Sequence, residues 1–170
     1  MVRIFAVLSI GLATGYGVRD YLEPSREMRM MSLFASICEP YVLAGEADMS
    51  QLVDIRVPGW NAGDPDTGAL VDIGSDGKQR ICRITDLLDP LQEAEKLRLI
   101  ASADEWAQHS LVDLPRHDLA EEYAWPVALI FGKVRDHVPG DVQFTVFELG
   151  AVNGPGVFMT LRKIVQGEAT

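Results

Sequence analysis

The stretch that most constrains the fold is a pair of alternating segments, residues 69–74 and 78–84, on either side of Asp76-Gly77. An Asp-Gly pair between alternating segments marks a hairpin with a two-residue turn, because glycine accepts the positive φ that such a turn demands. A two-residue loop sets Ser75 opposite Lys78, Ile73 opposite Arg80, Val71 opposite Cys82 and Ala69 opposite Ile84. Ala69, Val71, Ile73, Cys82 and Ile84 then share one face, and Asp72, Gln79 and Arg83 share the other. A slip of one residue would turn every apolar side chain to solvent. The clean division therefore predicts an antiparallel hairpin laid on a core, with Cys82 pointing inward.

The remaining elements are read outward from that hairpin. Residues 25–43 predict a helix, with Met30, Phe34, Ile37 or Cys38, and Tyr41 at three- and four-residue steps, and Met28 and Met31 widening the stripe. Pro40 predicts a kink or break, since its ring clashes with the Ser36 carbonyl, and Gly45 a stop. Asp48 and Gln51 form a capping box for a second short helix over 49–57, ended by Pro58-Gly59. Residues 60–68 are rich in turn formers. Asp64, Asp66 and Gly68 have the opening spacing of a calcium loop, but Gly68, Ala69 and Ser75 occupy the fifth, sixth and twelfth positions, so the stretch is read as a turn.

Asp89-Pro90 predicts a third helix start, capped by Asp89 with Gln92, with Leu91, Ala94, Leu97 and Ala101 on one side. Ser102 with Glu105 is a further box that predicts a new helix carrying Trp106. Residues 112–124 read as a surface connector. Residues 125–135, 142–151 and 157–165 read as strands, with turns at 137–141 and 153–156 that imply antiparallel neighbours. The expected fold class is α+β: an antiparallel sheet of about five strands, the early hairpin plus three C-terminal strands, packed against three or four helices.

Charge excludes some functions. The 170 residues carry a net charge of −10, and Arg3 and Arg19 are the only charged side chains among the first 19 residues. The rest is a strongly acidic body, which repels phosphate backbones and anionic membranes, so no nucleic-acid partner is expected.

The N-terminal apolar run, residues 4–18, has three readings. As an export signal it has a short n-region, an apolar h-region over 4–12, and Ala13-Thr14-Gly15 as a cleavage end. As a retained anchor, its 15 residues make about 22 Å of helix, short against a hydrocarbon core of about 30 Å. As a core strand it would feed Gly11, Gly15 and Gly17 in a dinucleotide-binding turn, but the third glycine of that motif is missing and Pro24 cuts short the helix that must follow. Residues 1–17 are accordingly read as a signal peptide or short membrane anchor, and 18–170 as one α+β domain.

Export gives Cys38 and Cys82 a role. One lies on a helix face and one on a strand face, and outside the cytoplasm the simplest state for the pair is a disulfide. Histidines His109, His117 and His137 lack metal-ligand spacing, and no Cys-x-x-Cys, Gly-x-Ser-x-Gly or P-loop occurs. No metal and no cofactor is expected. Trp60, in a polar loop beside Asn61 and Asp64, is the aromatic placed for ligand contact, whereas Trp106 and Trp125 read as packing.

The leading expectation is a small exported, periplasmic or secreted module of the cell envelope that binds a protein or small ligand without catalysis. It would touch a membrane only through an uncleaved N-terminal segment. One alternative is a hydrolase with an acid/His site in which Asp113 or Asp118 orients His117. Another is a cytoplasmic nucleotide-binding protein built on residues 3–17.

Overall fold

A computed structural model describes residues 24–117, 127–132, 138–149 and 156–166. The signal-peptide, anchor and nucleotide-turn readings of the N-terminus fall outside these residues, as do Asp118, Trp125 and His137.

Among the described residues the chain is α+β, with one antiparallel sheet of eight strands. They are β1 (Val53–Asp54), β2 (Ala62–Gly63), β3 (Leu70–Ser75), β4 (Gln79–Thr85), β5 (Arg116–His117), β6 (Val127–Gly132), β7 (Val142–Leu149) and β8 (Gly156–Ile164). Their order is β1-β2-β3-β4-β8-β7-β6-β5. Two four-stranded meanders thus meet at the β4–β8 seam, which is paired from Gln79↔Ile164 to Thr85↔Phe158. The expectation of about five strands is corrected: β1, β2 and β5 have two residues each, too few to carry a period.

Among the described residues the helices are fewer than expected. α1 (Arg26–Leu33), a π-helical segment (Phe34–Cys38) and α2 (Glu39–Ala44) form one unbroken rod, and α3 (Glu93–Ser110) forms the second. Pro40 does not break the first rod. The wider i→i+5 turn just before it, in which the Glu39 amide donates to the Phe34 carbonyl, takes up the ring and the missing donor. Gly45 does end the rod, at φ 89°, with its amide bonded back to the Pro40 and Tyr41 carbonyls. A Cβ there would also lie 2.5 Å from Arg80 Nη1.

The helix expected over 49–57 does not form. The Asp48 carboxylate accepts the Ser50 amide at 2.9 Å in a local turn, and Val53–Asp54 pairs with β2 instead. A side-chain bond of that kind offers the backbone an alternative to a helix. α3 begins at Glu93, where Gln92 and Glu95 form the capping box, rather than at Asp89. Asp86 is the carboxylate that takes the Leu91 amide, at 2.7 Å. The second start at Ser102 is overrun, because extending an existing helix is easier than nucleating another.

The buried side of α3 is Leu99, Ala103 and Ala107, while Leu97 is 60% exposed. Of the expected stripe Leu91, Ala94, Leu97 and Ala101, only Leu91 is buried. α3 is set by its contacts with the first rod: Arg98 pairs with Glu27, and Trp106 stacks edge-on to Phe34 and donates to Glu39 Oε2 at 2.9 Å.

Both rods cover one face of the sheet. Val71, Ile84, Met159 and Val146 line that face in register, and Phe34, Trp106 and Phe144 meet above it with ring centroids 5.0–5.2 Å apart. Cys38 and Cys82 form a fully buried disulfide, Cα–Cα 5.1 Å, pinning the π-helical segment to β4.

The hairpin faces are as read, but its register is not. Ser75 pairs with Arg80, Ile73 with Cys82 and Val71 with Ile84, a shift of two residues. The Asp76 carboxylate accepts the Lys78 and Gln79 amides, both at 2.9 Å, which widens the loop to four residues. A two-residue shift preserves side-chain parity, so every residue keeps its face.

Candidate functional site

The face of the sheet that neither rod covers carries a groove of about 500 Å³ across β3, β4, β8 and β7. Opposed residues in a sheet point to the same side, so the register defines its floor. One row runs Asp72–Arg83–Thr160–Thr145–Ile130–His117. The next runs Gly74–Ile81–Arg162–Gln143–Gly132. Thr85, Phe158 and Phe147 lie in the row on the other side.

Arg83 is the fixed point of this floor. Its Nε donates to Asp72 Oδ2 at 3.0 Å, and its Nη2 contacts the same oxygen. Its guanidinium carbon lies 5.5 Å from the centre of the Trp60 ring, a cation–π distance. Trp60 in turn packs on Phe158 at 5.7 Å. Trp60 is placed by the loop around it: its amide bonds to the Val57 carbonyl, and the adjacent Asn61 bonds to β3 through the Val71 carbonyl and the Ile73 amide. Trp60 therefore stands at the groove's edge through its hold on Arg83.

Arg162 lies on the floor one diagonal step from Arg83. Burial works against its charge and moves its pKa downward. Thr160 brings a hydroxyl opposite Arg83, and Thr145 and Gln143 lie one strand further, on β7, beside Thr160 and Arg162. Arginine with hydroxyl and amide groups suits an oxygen-rich ligand group.

His117 is on β5, in the same row but two strands beyond Thr145. Its Nε2 lies 2.8 Å from the Gly132 carbonyl oxygen. Asp113 is exposed on the turn after α3 and no bond joins it to His117. Asp113 and His117 are therefore not brought together, and Asp118, the other acid of that reading, lies outside the described residues.

The Asp64 and Asp66 carboxylates turn toward Arg29, at 2.9 and 2.7 Å. The hollow between Pro24 and Thr67 is lined by Arg29 and Arg26, the latter paired with Asp89, so that charge is used in holding α1 to the loop. Among the described residues no three His, Cys, Asp or Glu side chains converge to hold a metal ion, and no helix is long and apolar enough to cross a membrane.

Arg83, Thr145, Thr160 and Arg162 were not singled out from sequence as site residues. The alternation placed Arg83 on the polar face, but the strand partners that assemble the floor come from residues 60–80 positions later. No family model matches the chain, and neither a curated protein nor a solved structure matches it significantly.

Proposed function

We propose that the chain is an exported, non-catalytic binding module of the cell envelope, and that its ligand sits in the groove on the sheet face that neither rod covers. The observation that carries this reading is the preorganised floor: Arg83 clamped by Asp72 and Trp60, with Thr160 across from it, on strands held from behind by the packed core. Rigid elements that converge a few polar groups in a concavity of this size are what a small-ligand site requires. The buried Cys38–Cys82 bridge is compatible with an oxidising compartment and so favours export.

Two measurements test the reading. In native cell fractions, intact-mass analysis is expected to find the protein in the envelope with an N-terminus near Tyr16. A cytosolic species beginning at Met1 overturns export. A small-molecule screen followed by backbone-amide NMR is expected to place ligand-induced shifts on β4, β7 and β8. Shifts confined to other elements overturn the groove.

A further inference from the structure

We infer that the groove takes a neutral oligosaccharide, laid across the strands along the row Asp72–Arg83–Thr160–Thr145. The inference rests on the groove being the binding site, and it specifies what binds there.

Strands lie about 4.8 Å apart in a sheet, close to the length of one pyranose unit. Asp72, Arg83, Thr160 and Thr145 are opposed in turn on β3, β4, β8 and β7. A short sugar chain crossing the strands therefore meets one polar side chain on each. Both Arg83 bonds fall on Asp72 Oδ2, which leaves Asp72 Oδ1 to accept. The remaining Arg83 N–H groups donate, and a threonine hydroxyl does both. A carboxylate ligand only accepts and an ammonium only donates, whereas every sugar hydroxyl does both. The Asp72–Arg83 pair thus suits two neighbouring hydroxyls, one donating and one accepting. Arg83 is set for this before any ligand arrives. Asp72 occupies its Nε edge and Trp60 lies against its planar face, so little rotamer freedom remains to be lost.

Charge favours a neutral ligand. The charged residues lining the groove, Asp72, Asp76, Arg83 and Arg162, sum to zero, so it draws neither an anion nor a cation. The surrounding body, with a net charge of −10, repels an acidic polymer. Phe147 on one side of the row and Ile81 on the other supply apolar surface, and the C–H face of a pyranose packs on such a ring. The backbone disfavours a peptide. Peptides join a sheet by adding a strand at its edge, whereas β4, β8 and β7 are already paired on both sides. Only side chains face the ligand.

Amide NMR titrations with maltotriose, cellotriose, chitotriose and the capped peptide acetyl-Ala-Ala-Ala-amide test this. At least one trisaccharide is expected to shift the Arg83, Phe147 and Thr160 amides, with a Kd of about 1 mM. The peptide should give no shifts. Trisaccharide affinity should hold within about twofold between about 20 and 300 mM salt. Phe147→Leu keeps apolar bulk but removes the ring, and it should weaken the sugar about fivefold. Thr160→Val keeps the shape and suits a strand, so it guards against misfolding, and it should weaken the sugar about threefold. Three results overturn saccharide recognition and leave the groove standing: peptide binding there without any trisaccharide, affinity that falls steeply with salt, or affinity that both variants leave unchanged. Shifts away from the groove, or none with any probe at about 20 mM, overturn both.

Discussion

At the scale of single residues, Asp64 shows how a loop is tied to a helix. Its carboxylate is fully enclosed and accepts Arg29 Nε and Nη2 at 3.0 and 2.9 Å, and the Thr67 amide and hydroxyl at 3.0 and 2.6 Å. Burial pushes its pKa up, but the bonds from Arg29 and Thr67 outweigh it and the net shift is downward. A carboxyl with a depressed folded-state pKa adds stability that is complete above its unfolded value, about 4, and is lost as pH falls through the folded value. Asp64→Asn is therefore expected to lower stability by about 2 kcal/mol at pH 7. In urea denaturation the gap from the parent should close below about pH 4, and parallel curves down to about pH 2 would refute the assignment. The turn itself was legible from Asp64, Pro65, Asp66 and Gly68. Its anchor was not, because Arg29 lies 35 residues earlier on a helix face that periodicity describes only as polar.

At the scale of elements, local signals gave the type of the longer elements, though not of residues 49–57, and tertiary contacts chose their phase. The hairpin shows this most plainly: parity was readable from alternation, whereas the register depended on which amides the Asp76 side chain captured. In α3, two capping boxes and two apolar stripes competed within eighteen residues, and the neighbouring rod decided between them through Glu27–Arg98 and Phe34–Trp106. The same dependence holds at the end of the first rod. Arg80 Nη1 and Nη2 donate to the Tyr41 and Leu43 carbonyls at 3.4 and 3.3 Å, and Lys163 Nζ donates to Leu43 at 3.1 Å. These cations, from the two strands of the central seam, meet the negative end of the helix dipole and the carbonyls of its last turn. The double substitution Arg80→Ala/Lys163→Ala is expected to destabilise by about 1 kcal/mol. Amide hydrogen exchange should then rise first in α2. Unchanged exchange there would mean that Gly45 and its backbone bonds end the rod unaided.

At the scale of the molecule, the disulfide and the groove lie on opposite sides of one strand. Cys82 and Arg83 are adjacent on β4, so one side chain enters the core and the other the floor. The groove could not be read from the sequence because its floor unites β3 and β4 with β7 and β8 across the seam, a pairing that no local pattern announces. The bridge was readable, since each cysteine sat on a recognisable apolar face. It spans 44 residues and fastens the first rod to the centre of the sheet. Closing a loop of that length restricts the unfolded chain by about 4 kcal/mol. That is a large part of the 5–15 kcal/mol typical of a whole domain. Yet Phe34, Phe144, Met159 and Leu161 are buried independently of the bridge, and β4 remains paired on both edges. Cys38→Ala/Cys82→Ala is thus expected to lower the urea midpoint by the equivalent of about 4 kcal/mol while leaving a folded protein. Because the strand's hydrogen bonds, rather than the sulfurs, aim Arg83 at the groove, the Arg83 and Thr160 amide resonances of the folded variant should stay close to their original positions. An unchanged midpoint would show that the bridge does not restrain the unfolded chain, and displaced groove resonances would show that it also shapes the floor.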